Sequence, residues 1–230
     1  MGRNLLRLDA GWSSLVARRA HNPKVVGSNP TPATKKTLGN PEGFRLFGPA
    51  FTEETIAAAE ATLGLALPAG YRASLELHDG QATFANGERS LPWLPGCPPL
   101  APLASVLEQW AQLQDLAAEY PPPDATEHGD RIKSGTYRTR TIPIAGSAYW
   151  DGDTTYVDLD PGPAGAAGQI ITMVSECDFV ALGPSFEAAR ARWVEALEAG
   201  AWVYSAEAGD VHPAGQPPHT GHPSDQFAGA

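Results

Sequence analysis

Three consecutive pieces decide the fold: Thr154-Thr155-Tyr156-Val157-Asp158-Leu159-Asp160, then Pro161-Gly162-Pro163-Ala164-Gly165-Ala166-Ala167-Gly168, then Gln169-Ile170-Ile171-Thr172-Met173-Val174. The first alternates, with Thr155, Val157 and Leu159 on one face and Tyr156, Asp158 and Asp160 on the other, the period-two signature of a strand whose second face meets solvent. The second is a Gly- and Pro-rich connection, and the third is apolar enough for a buried strand. Outward from this pair, Thr141-Ile142-Pro143-Ile144-Ala145 predicts an edge strand, because Pro143 has no N–H for an inner ladder. Phe179-Val180-Ala181-Leu182 predicts another strand after Cys177 and Asp178.

Helical patterns flank this run on both sides. Thr52 is a good N-cap for a helix to Leu63, with Glu53 and Glu54 in the first turn and Gly64 suited to the left-handed C′ position. Pro68 opens a second short helix, marked by Tyr71, Leu75 and His78 and ended by Gly80. Residues 91–100 hold Trp93, Cys97 and four prolines and read as an irregular or edge-strand stretch packing an aromatic anchor. The strongest periodicity follows: Leu103, Val106, Leu107, Trp110, Leu113, Leu116, Ala117 and Tyr120 step by three and four until Pro121-Pro122-Pro123 stops the helix. Residues 124–140 read as a charged, hydrophilic connection. A last helix from Ser185 buries Phe186, Ala189, Trp193, Val194 and Leu197 before Gly200. Helices before and after a strand run imply an α+β domain over residues 41–204.

Charge is divided unevenly. Residues 1–40 carry seven basic residues against one acidic (net +6), and residues 41–230 carry nine against 25 (net −16). A body that acidic repels phosphate backbones and suits a basic protein partner. The segment from Val16 to Pro30 resembles the peptide obtained when a transfer-RNA gene is read as protein, since Gly27-Ser28-Asn29-Pro30 can be encoded by the T-arm box of such genes. The favoured reading is an artefactual extension from a start codon placed too early. A basic nucleic-acid arm and an Arg-rich transit peptide are the competing ones, and on each little stable packing is expected in residues 1–40. Residues 205–230, rich in Gly, Pro and His, are expected to form a disordered tail whose His212, His219 and His222 are solvated rather than metal-bound. Cys97 and Cys177 lack metal-ligand spacing and read as free thiols in a reducing, cytoplasmic compartment. No stretch approaches the roughly 20 apolar residues that span a bilayer.

Asp151, Asp153, Asp158 and Asp160 form the dense acidic constellation. The Gly-centred loop ending in Glu that would collect calcium oxygens is absent, so no metal is expected. Paired carboxylates can divide acid and base work, yet Asp151-Gly152 is also a turn dipeptide and Asp158 and Asp160 lie on a strand face. His78-Asp79 invites a dyad, but a histidine beside Gly80 in the last turn of a helix is accounted for by capping and the dipole. No Gly-x-Ser-x-Gly, Walker or dinucleotide pattern occurs, so no catalytic residue and no cofactor are assigned. Tyr149 and Trp150 stand beside these acids, and a ring as large as Trp150 reads equally well as a core residue. Aromatics next to carboxylates have the composition of a protein-binding patch, so Tyr149, Trp150, Asp151, Asp153, Tyr156, Asp158 and Asp160 are the candidate partner-binding residues.

In order, Ile56-x3-Glu60-x2-Leu63-Gly64, Leu67-Pro68-x2-Tyr71-Arg72, His78-Asp79-Gly80, Trp93, Gly152-Asp153, Asp158-Leu159-Asp160-Pro161, Gly168-Gln169-Ile170-Ile171 and Pro184-Ser185-Phe186 resemble the Smi/Knr family of the SUKH superfamily over about residues 44–199. The resemblance implies a single α+β domain with a central mixed, mainly antiparallel sheet flanked by helices. It also implies a non-enzymatic protein-binding role: fungal relatives coordinate cell-wall synthesis, and many bacterial ones are similar to immunity proteins that neutralise a toxin. The match is weakest over residues 81–140.

Overall fold

The computed structural model describes residues 48–81, 93–94, 96–127, 129–146, 150, 153–174, 178–205 and 210–217. Among the described residues there are four helices: α1 (Glu53–Leu63), α2 (Ala69–Leu75), α3 (Leu103–Glu119) and α4 (Phe186–Glu198). Strands β3 (Thr141–Ala145), β4 (Thr155–Asp158), β5 (Gln169–Val174) and β6 (Asp178–Gly183) form an antiparallel sheet in sequence order. Two hairpins complete the body, β1 (Thr126–Glu127) with β2 (Ile132–Lys133), and β7 (Trp202–Ser205) with β8 (Asp210–Pro213). The α+β expectation is met, with every described ladder antiparallel.

The sequence sets the register. Val157 opposes Ile142 and Ile170, and Tyr156 opposes Pro143 and Ile171, so alternate residues of β4 face opposite sides. On one side Ile142, Ile144, Val157, Ile170 and Leu182 join Ile56, Leu75, Val106, Phe186 and Trp193 from the helices in the main core. On the other side Tyr156, Ile171 and Phe179 join Leu113 and Ile132 in a smaller cluster. Pro143 sits on an edge strand as its chemistry requires, and the backbone of Leu100 and Ala101 bridges to Ala145 and Ile144 at that edge.

The family motif residues hold corners. Thr52 caps α1 through its hydroxyl and Gly64 takes φ +63°. Glu60 accepts from the Leu67 backbone N–H at 2.8 Å and faces Arg72, which also pairs with Glu53 and Glu76. Trp93 stacks on Phe186 at 5.2 Å, and Arg190 donates to the Trp93 carbonyl.

Three expectations are corrected. Helix α2 stops at Leu75, so His78 and Gly80 lie past its end rather than in its last turn. Residues 124–140 are no open connection: they contain the first hairpin and bury Ile132, Ser134 and Arg138. The chain also stays ordered past residue 204. Strand β8 pairs with β7, Val211 and His212 are buried, and Trp202 meets Trp193 edge-on at 5.3 Å. Residues 1–47, 218–230 and Cys177 lie outside the described residues.

Gly80 marks a tight crossing of main chains. Its φ is +50°, and a Cβ there would stand 2.6 Å from the Pro102 nitrogen and 2.7 Å from the Ala101 carbonyl carbon. Both neighbours are backbone, so neither can swing aside. Gly80→Ala is expected to cost about 2–4 kcal/mol, combining a left-handed residue with forced overpacking. Chemical denaturation read by tryptophan fluorescence checks this, and an unchanged midpoint would contradict it.

Candidate partner-binding site

Strand β4 carries the heart of the expected acidic face, and the structure encloses it. Tyr156 is 4% exposed and Asp158 0%. Periodicity placed both on one face correctly, but that face is roofed by the segment after α3, so it does not meet solvent. Arg138, itself 6% exposed, reaches Asp158 at 3.4 Å and lays its guanidinium 5.2 Å from the centre of the Phe179 ring. Gln169 donates to the same Asp158 oxygen, Oδ2, at 3.0 Å and to the Arg131 carbonyl at 2.9 Å, and the Asp160 N–H donates to Asp158 Oδ1 at 3.1 Å. Among the described residues Arg138 Nε and Nη2 have no hydrogen-bond partner. Asp158 therefore answers a buried cation and ties the 131–140 segment to the sheet.

The remaining candidates separate to the two ends of β4. Thr155 and Asp158 are three strand rises apart, roughly 10 Å, and the flanking residues diverge further. At the far end Asp160 is exposed and pairs with Lys133 at 2.6 Å. At the near end Trp150 and Asp153 are half-buried. Trp150 has φ +54°, and its indole N–H donates to Ser105 Oγ on α3 at 3.2 Å. A Cβ on Gly146 would stand 2.4 Å from the nearest ring carbon of Trp150, so glycine leaves the seat in which the indole lies. A bulky residue in the left-handed region is rare, and such strain gathers where position matters. Tyr149 and Asp151 lie outside the described residues. Of the described acids, Asp158 is locked in a buried pair with Arg138, Asp160 pairs with Lys133, and Asp153 lies at the other end of the strand.

The His78-Asp79 pair is architectural. Asp79 Oδ1 accepts from the Leu103 N–H at 2.7 Å, supplying the cap that Pro102 cannot give α3, and burial holds its carboxyl above the ordinary range. Burial, with the nearby Arg190 charge, pushes the His78 imidazole down to about 4. Cys97 is a free thiol sealed beside Thr155 and Thr172, and burial pushes it up to about 12. Among the described residues no group of His, Cys, Asp and Glu could hold a metal ion, and no helix is long and apolar enough to cross a membrane.

One surface escaped the sequence reading. Tyr120, placed with the apolar stripe of α3 by its spacing, is 57% exposed, because the helix ends there with φ −124° and ψ 74° and turns the ring outward. The outward positions of α3 hold Glu108, Asp115 and Glu119 and no basic residue. Reading the polar side of that periodic pattern, not only its apolar side, would have found them.

Residues 50–190 match the model of the SMI1 / KNR4 family (SUKH-1). Comparison with curated proteins found no match.

Two outcomes follow from the buried groups. Asp158→Ala is expected to cost about 3–5 kcal/mol by stranding Arg138, and Asp158→Asn with Arg138→Met together should recover much of that loss; equal losses in the single and double variants by urea denaturation would contradict the pairing. For His78 the folded value lies below the unfolded 6.5, so the unfolded chain binds the proton first as pH falls. Its contribution is intact above pH 6.5 and is lost progressively toward pH 4, on the order of 3 kcal/mol in all. The stability of His78→Phe should therefore fall less steeply than that of the parent across this window.

Proposed function

Since the chain belongs to the SMI1 / KNR4 family (SUKH-1), we propose that its body is a non-enzymatic protein-binding domain acting in the cytoplasm as an immunity protein, neutralising a basic, nuclease-like toxin by occlusion. The observation that carries this reading is the net charge of −16 over residues 41–230, in a family that is not a known enzyme family and whose domains act through protein–protein contacts. An acidic body presents a cationic partner with the charge it otherwise finds on a phosphate backbone, which speeds encounter and makes it salt-sensitive.

Among the described residues expected at the interface, Trp150, Asp153 and Asp160 have accessible surface and are kept as candidate contacts. Tyr156 and Asp158 move to a supporting role beneath them. Trp150 suits an anchor, because its seat on Gly146 and its bond to Ser105 fix the ring before binding and so reduce the ordering cost. The same acidity accommodates a regulatory scaffold of wall or envelope synthesis, which differs in having several weak partners and no toxic one.

The full chain, tagged and recovered from its native host, should retain a basic protein whose expression alone arrests growth and whose co-expression with this chain does not. Association should slow about tenfold or more between low and high ionic strength, as steered encounters do. Recovery of several weak partners, none of them growth-inhibiting, would replace immunity with the scaffold reading.

A further inference from the structure

Helix α3 breaks a rule of helix design on its outer side. Its last turn contains no basic residue, although the negative end of the dipole lies there, and Asp115 and Glu119 are like charges at i, i+4. No Lys or Arg occurs anywhere in Leu103–Glu119. Ala104, Glu108, Ala111, Asp115, Ala118 and Glu119 are all exposed and recur every three or four residues, forming one stripe roughly 22 Å long. The alanines leave that stripe low enough for another backbone to approach.

Aromatic rings stand at both ends of the stripe. Trp150 is bonded to Ser105 at the start of the helix. Tyr120 is the large apolar side chain left exposed among the described residues, next to the Glu119 carboxylate in the chain. Tyr137 lies 6.2 Å from Tyr120 ring to ring, three prolines follow, and Gly135 at φ +107° presses so closely on Pro122 that a Cβ there would come within 2.5 Å of its side chain. A ring beside carboxylates is a good seat for an arginine or lysine, which gains ion pairing and a cation–π contact together.

We propose that the outer face of α3, from Ala104 to Tyr120, is the docking surface for a basic α-helix of the partner protein. Charge complementarity selects the occupant. Glu108 and Asp115 are two turns apart, the spacing at which a facing helix repeats its own side chains. The locally unfavourable charges of α3 are what a face kept for a cationic partner shows, stability being lower in the free chain than it need be. This assignment rests on the reading of a basic protein partner and adds where that partner sits.

The test is a titration of the isotope-labelled full chain, followed by NMR shifts, with a synthetic helical Ala-rich peptide carrying arginine at i, i+4, i+7 and i+11. The same peptide with glutamine in place of arginine is the control. Saturable shifts are expected at residues 104–120. The triple variant E108K/D115K/E119K should weaken binding about tenfold or more, whereas E54K/E195K/E198K, of equal charge change on α1 and α4, should weaken it by no more than about threefold. Tyr120→Ala should weaken it several-fold with an unchanged melting temperature. Equal weakening by both triple variants, or saturable shifts on another face, would overturn the α3 assignment and leave the basic-partner reading standing. Absence of saturable arginine-peptide binding on any surface at low salt would overturn both.

Discussion

A guanidinium kept from water by the sheet it crosses sets the terms for the rest of this molecule. Arg138 comes from a segment with no long element of its own, and it is held by a carboxylate on the inner strand β4 and by the face of Phe179 on β6. A cation in that position is tolerable only while its partner is charged and in place. Its pairing therefore fixes more than itself. It brings Ile132 over Tyr156 and Phe179, closes the second face of the sheet, and makes β4 a strand buried on both sides.

This enclosure explains what was and was not legible in the sequence. Period two told which residues of β4 share a side, and Asp158 does lie with Tyr156 and Gln169. It cannot tell whether that side is covered, because the cover comes from a distant stretch whose composition is mostly polar. Ile132, Tyr137 and Arg138 are too few to form a periodic signal. The helix bounds of α1 and α4 were readable from their caps, since Thr52 and Ser185 act locally. His78 was misplaced because α2 ends three residues before it without a glycine. The β7–β8 hairpin was hidden by residues of weak strand preference, for which pairing with Trp202–Ser205 outweighs propensity. The dispersal along the strand of the acids expected to cluster is a property of the fold that their spacing did not reveal.

Fold and binding are joined by a division of labour between neighbouring carboxylates. Asp79 and Asp158 are absorbed by backbone and by Arg138, and they position α3 and the roof of the sheet. Glu108, Asp115 and Glu119 remain outside, on the helix that Asp79 caps. The capping contact thus anchors the element that displays the uncompensated charge, while the Gly146 seat sets an indole at one end of it. Rigidity underneath and open charge above are the combination that a preformed recognition surface requires.

The sealed thiol of Cys97 has a use for the observer as well as a place in the core. With its ionisation pushed up to about 12 and its sulfur shut between the hydroxyls of Thr155 and Thr172, almost none of it is thiolate at neutral pH, and reagents in solution cannot reach it. Alkylation at this position must wait for β4 and β5 to part from the loop above them. The rate of that modification is therefore a clock for the opening of the sheet, wound into the chain without any engineered label.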